Sequence, residues 1–117
     1  MTTEFDQARA DAFGDRMVGM LNDGALAMMT SVGHRTGLFD TMTSASGSSQ
    51  QIADAAGLNE RYVREWLGAM LMGGIVEYSA DADAYSLPTE HAAFVTRAAA
   101  PDNVAAFTQY IGLFGTV

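Results

Sequence analysis

Apolar residues recur at helical spacing along most of the chain, and the sharpest pattern lies between Ser48 and Tyr78. Val63, Trp66, Leu67, Met70 and Leu71 fall at i, i+3, i+4, i+7 and i+8, the stripe of a helix with one buried face. Ahead of it, Ile52, Ala53 and Ala56 form a shorter apolar face. Ser48 is placed to cap that first helix, and Gln51, three residues on, completes a capping box. Gly57 supplies the left-handed residue that ends a helix, with Leu58 folding back over the last turn. Asn59 caps the second helix, and Glu60 suits the positive end of its dipole. Gly73-Gly74 stops it. Ile75 to Tyr78 then reads as a strand, Ser79 to Asp83 as a polar hairpin loop, and Ala84 to Leu87 as the returning strand, with Tyr85 and Leu87 on one side. The pattern predicts a helix-turn-helix over 48–73 and a two-stranded wing over 75–87. Trp66 is expected beneath the first helix of the pair.

On either side the pattern predicts further helices. Phe5 to Leu21 carries Phe5, Ala8, Ala12, Val18 and Leu21 at apolar positions, with Gly14 a potential break costing about 1 kcal/mol against Ala. Asn22-Asp23-Gly24 is a turn signal, and Ala25 to Arg35 reads as a second helix with Ala25, Met28, Met29 and Val32 on one face. Thr36-Gly37 closes it, with Leu38 and Phe39 following. Thr43 to Ser49, TSASGSS, reads as a flexible connector. Pro88-Thr89 can open a short helix over 90–96, and Asp102 can cap a last one from Asn103. In that last helix Val104, Ala105, Phe107, Tyr110, Ile111, Leu113 and Phe114 are apolar almost all round, which predicts burial of most of it. The apolar pattern is still running at Val117, so the expectation is a piece of a longer protein. The fold class expected is mainly α, a winged helix-turn-helix with added terminal helices. Residues 1–47 supply N-terminal helices and connector, 48–88 the winged unit, and 89–117 the C-terminal helices, all in one structural domain.

Composition narrows the function. The chain has 117 residues, enough for one domain with a real core. Six Lys plus Arg against fourteen Asp plus Glu give a net charge of −8, which opposes nucleic acid and anionic membrane surfaces as partners. The absence of cysteine excludes disulfides and thiolate metal sites. The start, MTTEFDQARAD, is acidic and lacks the basic flank and apolar run of a signal peptide. No apolar stretch approaches the ~20 residues of a membrane span. The expected location is cytoplasmic.

Several segments carry a resemblance. Gly37 to Asp40 (GLFD), RYVREWLGAML, GGIVEY and YSLPTEH resemble the N-terminal domain of class I S-adenosylmethionine-dependent methyltransferases. More narrowly, they are similar to the bacterial subgroup often described as transcriptional regulators. The resemblance runs from about Ala12 onward. It implies a front domain that dimerises and roofs the substrate pocket, followed by a Rossmann-like domain that binds the methyl donor. The implied cofactor of the full-length parent is S-adenosylmethionine, and the implied partners are a second copy and a small-molecule methyl acceptor. No cofactor-binding or catalytic residue is identified here. Gly112-Leu113-Phe114-Gly115 has no preceding strand and no acidic residue, so it is not a cofactor glycine loop.

The candidate site residues divide between two readings. In the methyltransferase reading Phe107, Tyr110 and Phe114 are substrate-lining candidates, because their segment leads toward the catalytic domain; the residues alone make them core or interface first. In the alternative, a winged-helix DNA-binding regulator, Arg61 and Arg64 would meet the duplex. Arg61 and Glu65 form an i, i+4 pair, however, and the wing offers Glu77, Asp81 and Asp83 to the phosphates. His34 is expected in solvent, opposite the Met28-Met29-Val32 face; a base partnered by His91 is the sharper reading, and two lone histidines give it little weight. They also fall short of the three or four ligands of a zinc site. Met17, Val18, Leu21, the 25–32 helix and the 104–114 helix carry more apolar surface than the small core can cover. That predicts a symmetric dimer through the terminal helices, burying on the order of 2,000 Å².

Overall fold

The computed structural model describes residues 4–114. Helix α1, Gln7–Thr36, is followed by α2 (Leu38–Met42), α3 (Ser49–Ala56) and α4 (Glu60–Met72). Strands β1 (Glu77–Ser79) and β2 (Ala84–Ser86) form the wing, and α5 spans Thr89–Val95. Two 3₁₀ segments, Arg97–Ala99 and Val104–Tyr110, lead into α6, Ile111–Phe114. The result is a mainly α winged helix. Among the described residues no helix is long and apolar enough to cross a membrane.

The helix-turn-helix follows local chemistry closely. Gln51 N–H donates to Ser48 Oγ at 3.2 Å and Ser48 N–H donates back to Gln51 Oε1 at 2.9 Å, so the capping box is complete. Gly57 ends α3 in the left-handed region, and Leu58 N–H reaches back to Ala53 O at 3.0 Å. Asn59 Oδ1 caps α4 through Arg61 N–H at 2.9 Å. Ser49 Oγ–H donates to Glu60 Oε2 at 2.6 Å, tying the start of one helix to the start of the next. Ile52 and Ala53 of α3 and Val63, Trp66, Leu67 and Met70 of α4 are buried, whereas Leu71 stays partly exposed.

Trp66 organises the core. Its indole N–H donates to Met29 O of α1 at 2.9 Å, and its ring meets Phe39 of α2 edge-on with centroids 5.2 Å apart. These ties run to α1 and α2 rather than to α3, under which the sequence pattern placed the ring. Gly33 makes the approach feasible: a Cβ there would stand 2.5 Å from Trp66 Cζ2 and 2.6 Å from Phe39 Cε2. Leu38 and Phe39 are accordingly core residues of a helical turn, entered through Gly37 at φ 76°.

The wing pairs Glu77 with Ser86, Tyr78 with Tyr85 and Ser79 with Ala84; its first strand begins two residues later than the pattern predicts and takes in Ser79 from the expected loop, and its second stops one residue short. The rings of Tyr78 and Tyr85 meet across it, tilted at 47° with centroids 4.6 Å apart. Val76 and Leu87 anchor it in the core. The polar connector is not wholly loose: Gly47 exchanges backbone hydrogen bonds with Tyr85 at 3.1 and 2.7 Å and extends the wing by one bridge.

Three expectations fail outside this unit. The turn signal at Asn22-Asp23-Gly24 does not interrupt α1, which runs unbroken for 30 residues from an Asp6 cap to Gly37. Leu26, Met29, Thr30 and Gly33 seat its second half, and extending a formed helix adds one hydrogen bond per residue without a second nucleation cost. The last segment is largely 3₁₀ rather than α. Only its Ala105 is buried, so the expected burial is not achieved within the chain. His34, expected in solvent, is buried.

Candidate functional site

The described residues present four surfaces on which function could rest. The first is the free half of α1. No residue from 4 to 25 is buried. Phe13 is 53% exposed and Leu21 70%, with Met17, Val18 and Met20 exposed beside them. Thirty helical residues extend about 45 Å, and the molecule measures 64 × 37 × 26 Å along its axes. The arm therefore projects with an apolar flank in water.

The second surface is the C-terminal ridge. A 3₁₀ helix repeats every three residues, so side chains at i and i+3 lie in line. Ala105, Thr108 and Ile111 turn toward the body, while Val104, Phe107, Tyr110 and Leu113 form the outer row. Phe107 is 67% exposed and Tyr110 56%, and neither lines a groove described below. The side chain of Phe114 lies outside the described residues.

The third is the outward face of α4 with the wing. Arg61 Nε lies 3.7 Å from Glu65 Oε1 and Arg64 Nε 3.6 Å from Glu60 Oε2. Both arginines proposed for DNA contact are thus paired with glutamates along their own helix. Glu77, Asp81 and Asp83 are exposed on the wing. Tyr78 O–H donates to Asp83 Oδ1 at 2.8 Å, a bond that raises the tyrosine pKa above its ordinary value.

Two concavities form the fourth feature. A half-open groove of about 510 Å³ between α1 and α4 is lined by Leu26, Met29, Ala69, Met72 and Gly73, with Asn22, Asp23 and Ala25 at its edge. A smaller notch of about 200 Å³ lies between α1 and the C-terminal segment.

The two histidines do not act together. His91 Nδ1–H donates to Ile75 O at 2.7 Å. His34 instead faces Asn103, whose Nδ2 stands 3.5 Å from His34 Nδ1, the long limit of a hydrogen bond. Asn103 Oδ1 is buried without a partner. Beside this pair Arg97 bridges to Asp40, its backbone N–H also donating to Asp40 Oδ1 at 2.8 Å. Burial, then the Arg97 charge, lowers the His34 pKa, with Asp40 opposing. Sequence periodicity could not find this cluster, which joins positions 57 and 69 residues apart. Among the described residues no three His, Asp or Glu side chains gather as a metal set.

A capped helix pair, a wing of two strands and a tryptophan core define a winged helix-turn-helix. The chain belongs to the Rv2258c-like winged HTH domain family, whose profile matches residues 24–97. The same fold occurs in a structure of PigF with SAH, at 22% identity over 90% of this chain and 29% of that one, with a TM-score of 0.69. It occurs in the mitomycin 7-O-methyltransferase MmcR at 18% identity, covering 90% of this chain and 30% of that one, TM-score 0.72. Human N-acetylserotonin methyltransferase (ASMT), in complex with SAM, shares it at 16% identity over 96% of this chain and 32% of that one, TM-score 0.68. The chain thus spans about a third of the length of these structures or less. No curated protein sequence matches it significantly.

Proposed function

We propose that this chain is the non-catalytic front domain of an S-adenosylmethionine-dependent methyltransferase, serving as its dimerisation element and as the lid over its substrate. One observation carries the reading: the free half of α1 holds Phe13, Met17, Val18, Met20 and Leu21 in water, with nothing among the described residues to cover them. Soluble proteins rarely leave such a continuous apolar flank open, and symmetric pairing of two arms covers it on both copies at once. The fold likeness supports the enzyme class, since two of the three structures above are methyltransferases by name.

In this reading residues 1–47 pair the subunits, 48–88 form a rigid platform, and 89–117 lead to the domain that holds the methyl donor. The ridge of Phe107 and Tyr110 then lies against that domain and the methyl acceptor, with Phe114 a third lining candidate by its place in the sequence. Light scattering or sedimentation across a wide concentration range tests the pairing. A dimer persisting at micromolar concentration is expected, and a stable monomer refutes it.

The rival reading, a DNA-binding regulator, is opposed by the −8 charge, the acidic wing and the self-paired Arg61 and Arg64. Duplex affinity grows with each phosphate a cation neutralises. An anisotropy titration at physiological salt is expected to show at most weak, sequence-blind binding. Sub-micromolar binding that depends on sequence reverses the order of the two readings.

A further inference from the structure

We infer that the notch between α1 and the C-terminal segment binds a small planar aromatic carboxylate, with Arg35 holding its anion. The notch is walled by Met28, Met29 and Val32 on one side and Thr108 and Ile111 on the other, with Arg35 at its edge. Its volume is about 200 Å³. An apolar cavity of about 150 Å³ takes up benzene, so the notch suits one ring with a substituent. It falls short of the roughly 300 Å³ at which sites for drug-sized ligands begin. Two methionine thioethers are favourable neighbours for a ring edge.

Arg35 supplies the charge. Arg61, Arg64 and Arg97 each have a carboxylate partner, whereas Arg35, like Arg9 and Arg16, has none among the described residues, and of those three Arg35 alone borders the notch. Its Nε–H donates to Ser31 Oγ at 3.1 Å, which fixes the guanidinium and leaves its two terminal NH₂ groups for a ligand. That fork matches a carboxylate in two parallel hydrogen bonds. The chain as a whole carries −8 and repels anions, so a site for an acid must provide its own cation beside the apolar wall. Arg35 also stands in the last turn of α1, where a cation complements the helix dipole. Its tether to Ser31 holds it there at the mouth of the notch. Met28 and Val32, exposed in the chain, gain a role as ring contacts.

In the methyltransferase reading, on which this assignment of substrate class rests, the acid is the methyl acceptor or its anchoring part. Binding itself is testable without catalysis. Benzoate and benzamide share a ring and differ in charge, so both are titrated into the protein by calorimetry or by NMR. Benzoate is expected to bind at least about tenfold more tightly than benzamide, in line with hydrogen bonds to a charged group. Arg35→Met brings benzoate down to the benzamide level, Arg35→Lys restores part of the difference, and Val32→Trp fills the notch and removes both. Far-UV circular dichroism confirms that each variant is folded. No benzoate binding at millimolar concentration, equal affinity for the two probes, or full binding by Arg35→Met or Val32→Trp overturns the site. Failure here with an intact dimer removes the ligand assignment alone. A monomer that still binds benzoate removes the dimeric lid and leaves the notch.

Discussion

In α4, Val63, Trp66, Leu67 and Met70 are buried; in the first half of α1, Phe13, Met17, Val18 and Leu21 face solvent. Both helices bear apolar residues at helical spacing. The difference lies in what stands opposite. The α4 stripe meets α3, α2 and the second half of α1 within the chain, and its indole finds Met29 O. The α1 arm has run past the end of that core before its apolar flank begins. The same periodicity therefore closes a module in one region and advertises an interface in the other.

Removing the centre of the closed region has the largest effect. Trp66→Ala deletes the largest buried side chain and is expected to cost about 3–5 kcal/mol, read from the midpoint of chemical denaturation. A loss below about 1 kcal/mol means that Trp66 does not organise the core. The open region is expected to answer differently. Phe13→Glu with Leu21→Glu leaves Trp66 fluorescence native-like but weakens self-association at least about a hundredfold, because burying an unpaired carboxylate costs several kcal/mol. Should the double variant unfold the winged module instead, the two regions are not separable.

The seam between them titrates. His34 of α1 packs against Asn103 of the C-terminal segment, and its pKa is lowered by burial and by Arg97, with Asp40 opposing. The neutral ring is thus the form the folded state favours. Its contribution to stability is complete above the ordinary histidine value of about 6.5 and is lost as pH falls from there through the lowered folded value. Denaturation at pH 7.5 and pH 5.5 is expected to show a decline that His34→Gln reduces. An identical decline in the variant assigns the effect to other groups. The smallest change is expected on the exposed face of α4. Arg61→Ala breaks a pair whose side chains are both more than half exposed and should shift stability by under about 0.5 kcal/mol. A larger shift, or a loss of nucleic-acid binding, gives that face a role it otherwise lacks.

The sequence made the winged unit legible because each of its boundaries is a local event. Ser48, Gln51, Gly57 and Asn59 act within a few residues of themselves: three cap through their side chains, and Gly57 takes the left-handed turn that the lack of a Cβ permits. The Arg61–Glu65 pair is legible for the same reason. The continuity of α1 was not, since Asn22-Asp23-Gly24 is a turn signal in any local reading and only the seating of residues 26–33 overrides it. The C-terminal segment misled in another way. Its composition called for burial, but its 3₁₀ period of three buries Ala105 alone and leaves Val104, Phe107 and Tyr110 outward. Phe107 and Tyr110 consequently sit on an open ridge, and the notch is lined by their neighbours.

By itself the sequence determined the helix-turn-helix, its caps, the wing and the apolar face of α4, because hydrogen-bond partners and stripe spacing are encoded within a turn or two. Only the tertiary structure decided which apolar stripes close and which stay open. It brought Gly33 against Trp66 and set His34 beside Asn103. It also left Arg35 at the mouth of an apolar notch. These outcomes depend on which surfaces meet across tens of residues, where steric fit and burial outweigh local preference.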